Sequence, residues 1–334
     1  MSNANTDQAS TIVSIELVFA ILIMIITALV GIPGNFLVLW ITGVKVKRTP
    51  MNIWFWNLAL ADMTCCLTFP FFIVQFFYDE WLYGPALCKI IPSTIVFTMF
   101  ASIFTLVAIS IDRCILVIQP VWAKNHRTLR MVWIICLAIW TLSFLMCLPV
   151  VLYRTTFTEK NLTQCGYRQM DLQHSNGSDI NVETYVSFPD KTVTYTRIIF
   201  GFLIPLLIIS ASYARLASKI KQTRFVKVGR KTTKVVICIV IAFCVSWTPY
   251  HIMGIILLYS NKENPVVTNL DYLSQVLAYS NSCINPILYV FLGKDMKSRV
   301  RQSLRELMEN VFTEELTKST DHRRAKSRQK KACN

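Results

Sequence analysis

Seven long stretches of this chain carry almost no charge, and a water-soluble fold has no use for them. Six are free of Asp, Glu, Lys and Arg: those between Glu16 and Lys45, Lys89 and Asp112, Arg130 and Arg154, Arg197 and Arg215, Lys234 and Lys262, and Asp271 and Lys294. The seventh, Met51–Tyr78, is broken by a single acid, Asp62. A helix needs about 20 apolar residues to cross a bilayer core, whereas a soluble core interleaves apolar with polar positions. The expected fold is therefore an all-α membrane protein, a seven-transmembrane helix bundle over residues 13–292. Residues 1–12 form a polar N-terminus and 152–191 a long polar loop. In 293–309, Met296, Val300, Leu304 and Leu307 recur at helical spacing beside Lys297, Arg301 and Arg305. That pattern predicts a short amphipathic helix on the membrane surface. Residues 310–334 are a tail ending in the basic run Arg323–Lys331.

The net charge of +15 invites a nucleic-acid reading, but its distribution argues against one. Seven spans leave the chain ends on opposite sides. The side with the C-terminus carries 27 Lys+Arg against 7 Asp+Glu, and the other side 7 against 11. Basic residues collect on the cytoplasmic side, so the N-terminus and loop 152–191 are expected outside. Both glycosylation sequons, Asn161 with Thr163 and Asn176 with Ser178, fall in that loop. Met1–Ser10 has no leader-like pattern. Of 11 cysteines, only Cys88 and Cys165 lie on the oxidising side, so a disulfide is expected to tie the loop to the third span.

That third span is the axis of the bundle. It runs without charge from Lys89 to Asp112, with Ser102 and Arg113 on one face and Asp112-Arg113-Cys114 at its inner end. Asp62 is ionisable at mid-membrane and needs partners; Ser102 and the pair Asn281 and Asn285 can supply oxygens. Pro249 and Pro286 each remove a backbone donor and kink their spans. No nucleophile–base pair stands beside Asp62, so enzymatic chemistry is not expected.

Together these residues resemble the rhodopsin-like (class A) G-protein-coupled receptors. The resemblance rests on Gly34-Asn35, Leu60-Ala61-Asp62, Cys88 with Cys165, Asp112-Arg113-Cys114, Trp140, Pro205, Trp247-x-Pro249 and Asn285-Pro286-x-x-Tyr289. Within that family the chain is similar to the chemoattractant peptide group, the complement anaphylatoxin receptors above all. Cys65-Cys66, Met99-Phe100-Ala101-Ser102, Asn125-His126-Arg127, Cys165-Gly166-Tyr167, Tyr250-His251 and Glu314-Glu315-Leu316-Thr317 carry that likeness. The second outer loop is much shorter than is usual there.

The resemblance implies a plasma-membrane receptor for an anaphylatoxin-like peptide (complement component 3a type, ending in Arg) that drives chemotaxis and inflammatory signalling. Arg154 and Arg197 would hold the peptide's terminal carboxylate, Asp271 its guanidinium, and Tyr167 would match a tyrosine that is sulfated in the family. Interfacial snorkelling is the alternative for both arginines. Asp62, Ser102, Asn281 and Asn285 would bind an allosteric sodium ion, or else form a network satisfied by water; no other cofactor is expected. Asp112, Arg113, Tyr213, Trp247, Pro249, Asn285, Pro286 and Tyr289 would switch the bundle and couple it to a heterotrimeric G protein of the inhibitory type. Pro205, Ile103 and Phe243 would connect pocket to switch. No acid occurs from Arg215 to Lys234, and Gly229 stands where some relatives hold the arginine with one, which implies basal signalling. Thr313, Thr317, Ser319 and Thr320 would serve receptor kinases and arrestin.

Other readings differ by specific residues. A retinal pigment needs a lysine where Tyr279 stands, and an amine receptor an acid where Ile95 stands. Receptors for complement component 5a, formyl peptides or chemerin are the nearest alternative. A non-signalling scavenger would not need Arg113 and Tyr289, and a transporter would want a continuous polar path or internal repeats.

Overall fold

The longest helix is the third span. α4 (Gly84–Ile118) has 35 residues and is therefore about 52 Å long, more than the roughly 30 Å of a hydrocarbon core. Cys88, Phe100, Ser102, Leu106 and Ile109 are buried along it, because the other helices close around it. The structure, a computed structural model, describes residues 15–159, 161–167, 188–222, 230–259, 265–292 and 302.

The first span is α1 (Ile15–Trp40), which runs into a wider π turn, Ile41–Lys45. The second is α2 (Pro50–Cys66) continued by α3 (Phe69–Gln75). They meet at a break before Pro70, which has no N–H to donate to the Cys66 carbonyl; the Thr68 amide and hydroxyl both turn back to the Cys65 carbonyl, at 3.0 and 2.7 Å. After α4 comes a short inner helix, α5 (Pro120–His126), and then the fourth span, α6 (Leu129–Tyr153). The fifth span is α7 (Phe188–Ile198), a π turn at Ile199–Leu203, and α8 (Ile204–Gln222). The turn precedes Pro205, whose ring would crowd the Gly201 carbonyl in a regular helix. Gly201 lets α4 approach closely: a Cβ there would lie 2.9 Å from Met99 Cε. The sixth span is α9 (Arg230–Tyr259) and the seventh α10 (Pro265–Leu292).

Among the described residues, six helices are long and apolar enough to cross a membrane by composition alone. α10 is the seventh helix of the bundle and packs chiefly on α9 and α1. Its inward face carries Ser274, Asn281, Ser282 and Asn285, all buried. These lower its hydropathy while hiding the polar groups from lipid. Around the outside, Phe19, Leu29, Leu137, Leu207, Ile241 and Val245 are exposed, as lipid contact requires.

Loop 152–191 contains a β-hairpin. β1 (Arg154–Glu159) and β2 (Leu162–Tyr167) form an antiparallel hairpin with Thr156 opposite Cys165. Asn161 sits exposed at its tip with φ 64°, a conformation Asn tolerates better than most residues. Cys165 is bonded to Cys88 of α4, with 5.7 Å between their Cα atoms, as the cysteine pattern anticipates. The Trp81 amide donates to the Thr163 carbonyl at 2.7 Å, and Gln164 Nε2 to the Asp79 carbonyl at 2.9 Å. The hairpin is thus fastened on two sides. Asn176, Gly229, the expected 293–309 helix apart from Gln302, and the tail with Thr313, Thr317, Ser319 and Thr320 lie outside the described residues.

Candidate functional site

At the outer end of the bundle is a cavity of about 650 Å³, within the usual range for ligand pockets. It brings together all four residues expected there: Arg154, Tyr167, Arg197 and Asp271. Arg154, first residue of β1, reaches the Cys165 carbonyl with its guanidinium at 3.3 Å and lies 5.6 Å from the centre of the Tyr167 ring. The disulfide therefore positions both. Burial pushes the Tyr167 hydroxyl above its ordinary pKa, with Arg197 and Arg154 pulling it back, so it is a neutral phenol at physiological pH.

Arg197 is not a snorkelling interfacial side chain. The fifth span begins at Phe188, nine residues earlier, so Arg197 enters the bundle about 13 Å down the helix. It donates to the Tyr250 hydroxyl, lies over the Tyr250 ring at 4.8 Å, and meets the Thr194 hydroxyl at 3.4 Å. Its Nε is sealed from solvent and has no hydrogen-bond partner. Across the cavity, Asp271 accepts from Gln275 Nε2 at 2.7 Å, one turn along α10. No ion pair joins Asp271 to an arginine among the described residues. Two arginines and two acids, Asp190 and Asp271, thus line the same space, and Asp271 forms no ion pair with either arginine. Gln275, Tyr272 and the buried Tyr279 complete the α10 wall.

Below the cavity the contacts become aromatic. Tyr250 packs edge-on against Trp247 at 5.5 Å, and Trp247 stacks on Phe243 at 5.8 Å. Phe243, Ile103 and Pro205 are all buried at this level. Trp247 Nε1 is buried with no partner. A path from Arg197 toward the middle of the membrane therefore starts at Tyr250, which sequence reasoning left without a role. Its place three residues after Trp247, on the same helix face, was the available signal.

At mid-membrane, Asp62 accepts from Asn285 Nδ2 at 2.7 Å and from the Ser102 hydroxyl at 3.4 Å. Asn281 lies one turn nearer the outside on α10. The Oδ1 atoms of Asn281 and Asn285 are buried without partners. Orphaned amide oxygens beside a buried carboxylate are the donor set a hard cation uses. Nearby, Asn35 Nδ2 donates to the Ser282 carbonyl at 2.8 Å. Trp140 Nε1 donates to Asn57 Oδ1 at 2.6 Å, and Asn57 Nδ2 to the Thr105 hydroxyl at 2.8 Å. These bonds join α1 to α10, and α6 through α2 to α4.

At the inner end, Asp112 holds two arginines. Arg113 donates to Oδ2 at 2.8 Å. Arg127 grips both carboxylate oxygens, at 2.5 and 2.9 Å. Arg113 Nε and the Tyr213 hydroxyl are buried and unpartnered. Pro249 lies within α9 and Pro286 within α10; Tyr289 is on α10, its side chain outside those described. Arg127 had no assigned role from the sequence. Only the return of the chain through α5 brings it to Asp112, fifteen positions earlier.

The pattern of the 7 transmembrane receptor (rhodopsin family) matches residues 34–289. The chain belongs to the rhodopsin family of seven-transmembrane receptors. It is accordingly a multi-pass receptor of the plasma membrane, with a peptide ligand and G-protein coupling implied by its group; the family is not a class of enzymes. A C3a anaphylatoxin chemotactic receptor of Oncorhynchus mykiss is 42% identical over 323 residues, covering 95% of this chain and 85% of that protein. Its counterpart in Homo sapiens is 31% identical over 443 aligned residues, covering 91% of this chain and 92% of that one. That alignment is longer than the 334-residue chain, so the human receptor has residues this one lacks. A C5a anaphylatoxin chemotactic receptor 1 of Gorilla gorilla gorilla is 37% identical over 323 residues, covering 94% of this chain and 87% of that protein.

Proposed function

We propose that this receptor recognises an anaphylatoxin of the complement component 3a type by the arginine at the peptide's C-terminus. The observation that carries the reading is the outer cavity, where Arg154 and Arg197 face Asp271 without pairing to it. A C-terminal arginine has the matching charges. Its carboxylate suits the two guanidiniums, which can each donate two parallel hydrogen bonds, and its guanidinium suits the Asp271 carboxylate. A carboxylate that takes Arg197 draws it from Tyr250, and Tyr250 bears on Trp247.

The signal leaves at the inner end, where Arg113 is released from Asp112 toward a G protein of the inhibitory type and Tyr213 and Tyr289 re-pack beside it. Asp62, Ser102, Asn281 and Asn285 hold a sodium ion in the resting receptor. The N-terminus is extracellular, Asn161 and Asn176 carry glycans, and Thr313, Thr317, Ser319 and Thr320 are phosphorylated for arrestin. A receptor for complement component 5a is the second reading, because a receptor so named is also similar over most of the chain.

The test is the cAMP or calcium response of transfected cells to a peptide ending in Leu-Ala-Arg, compared with the same peptide lacking the terminal arginine. A response that requires the arginine supports the reading. Equal responses to both peptides, or a response to complement component 5a alone, would overturn it.

A further inference from the structure

A second cavity, of about 260 Å³, opens on the side of the bundle between the first, second and fourth spans. Its wall includes Leu39, Thr42, Asn52, Ile53, Trp56 and Trp133. It exists because the first span ends in the π turn Ile41–Lys45 rather than continuing as a regular helix. Within that turn Gly43 lies so near Trp56 that an added Cβ would sit 3.3 Å from the indole nitrogen. Trp56 and Trp133 meet edge-on at 5.8 Å, and Val44 and Trp133 face outward, 72% and 40% exposed. The groove therefore opens toward lipid, not toward the centre of the bundle.

Its mouth is cationic. Lys45, Lys47 and Arg48 follow one another, and no acidic residue occurs between Glu16 and Asp62. Arg48 lines the cavity, is exposed, and has no hydrogen-bond or ion-pair partner among the described residues. Asn52, beside it, is held by its amide donating to the Lys47 carbonyl at 2.9 Å.

We propose that this groove seats one acyl chain of an anionic phospholipid of the cytoplasmic leaflet, with the Arg48 guanidinium on its phosphate. The leaflet rests on the cytoplasmic orientation proposed above; the site itself does not. An apolar trough beside a basic rim is the pairing that recognises acidic lipid headgroups. A planar guanidinium suits a phosphate, and the two tryptophans stand where indoles favour the membrane interface. A bound lipid would brace the inner ends of the first, second and fourth spans.

The test is native mass spectrometry of the full chain in detergent, titrated with phosphatidylserine and with phosphatidylcholine of the same chains. Phosphatidylserine is expected to bind more tightly. R48A is expected to lower its affinity about five- to ten-fold, roughly the effect of one interfacial cation, and R48K to retain most of it. V44W, which fills the groove and leaves the basic rim, is expected to lower retention of both lipids. K124A, an exposed basic residue elsewhere on the same side, is the control. Equal binding of the two lipids, equal losses in R48A and K124A, or full competition by soluble glycerophosphoserine would each overturn the proposal. An unchanged melting temperature separates loss of the site from loss of the fold. Binding in detergent is indifferent to leaflet, so impermeant labelling of the N-terminus on intact cells tests the orientation separately.

Discussion

The Asp271 carboxylate accepts from the neutral amide of Gln275 and makes no ion pair among the described residues. If it pairs with the ligand's terminal guanidinium, D271A should raise the half-maximal agonist concentration about 30- to 150-fold. That corresponds to roughly 2–3 kcal/mol for truncating one partner of a partly buried charge pair. A peptide with norleucine in place of the terminal arginine should lose nothing further on this substitution, because the coupled partner is already gone. Equal losses with both peptides would mean that Asp271 acts on the fold. Asp62 makes a separate prediction. If a sodium ion held by Asp62, Ser102, Asn281 and Asn285 stabilises the resting bundle, sodium should weaken agonist binding to the unmodified receptor, and D62N should abolish that dependence in radioligand competition. Sodium sensitivity persisting in D62N would remove the ion from this site. Asp62 was legible in the sequence, because an acid at membrane depth has few reasons to be there, whereas the role of Asp271, at the outer end of its span, came from the family resemblance. Arg127 and Tyr250 were not legible. An arginine in a basic turn and a tyrosine in an apolar helix are common, and their partners lie far off along the chain.

At the level of elements, the spans could be read from the chain because a bilayer allows no other arrangement of charge-free runs of that length. Their irregularities were less legible. Pro205 announces a distortion, but whether it becomes a kink or a π turn depends on the close contact of Gly201 with α4. The hairpin of β1 and β2 was hidden in a segment that reads as polar loop; Trp81, Gln164 and the disulfide fasten it. By folding back, α5 delivers Arg127 to Asp112, so one carboxylate restrains two arginines. No acid stands between Arg215 and Lys234 to restrain Arg113 from the sixth span. Basal G-protein activation should therefore be measurable without agonist. D112N should raise it several-fold by releasing Arg113. R127A should lower it, because Asp112 is then left to Arg113 alone. A receptor silent without agonist, with D112N equally silent, would contradict this picture. Both effects can be read from basal nucleotide exchange on purified receptor with G protein, normalised to surface-competent protein.

Across the whole molecule, buried polar groups form three levels joined by packing. Arg154, Arg197 and Asp271 lie at the outer cavity, Asp62 with Ser102 and Asn285 at mid-membrane, and Asp112 with Arg113 and Arg127 at the inner end. Between the first two levels, Tyr250, Trp247 and Phe243 are in direct contact. Several polar atoms on this line have no partner: Arg197 Nε, Trp247 Nε1, Asn281 Oδ1, Tyr213 Oη and Arg113 Nε. An unpaired buried polar group costs about 1–3 kcal/mol, so a rearrangement that satisfies several of them is a second state of accessible free energy. Kinks at Pro249 and Pro286 let α9 and α10 move between such states. If the stimulus at the outer cavity leaves the bundle through Arg113, one comparison tests it directly. R113Q, displayed on the cell surface and binding agonist with affinity within about three-fold of the unmodified receptor, well under 1 kcal/mol, should lose nearly all agonist-driven G-protein activation. Undiminished activation by that variant would contradict the path from cavity to G protein described for this receptor.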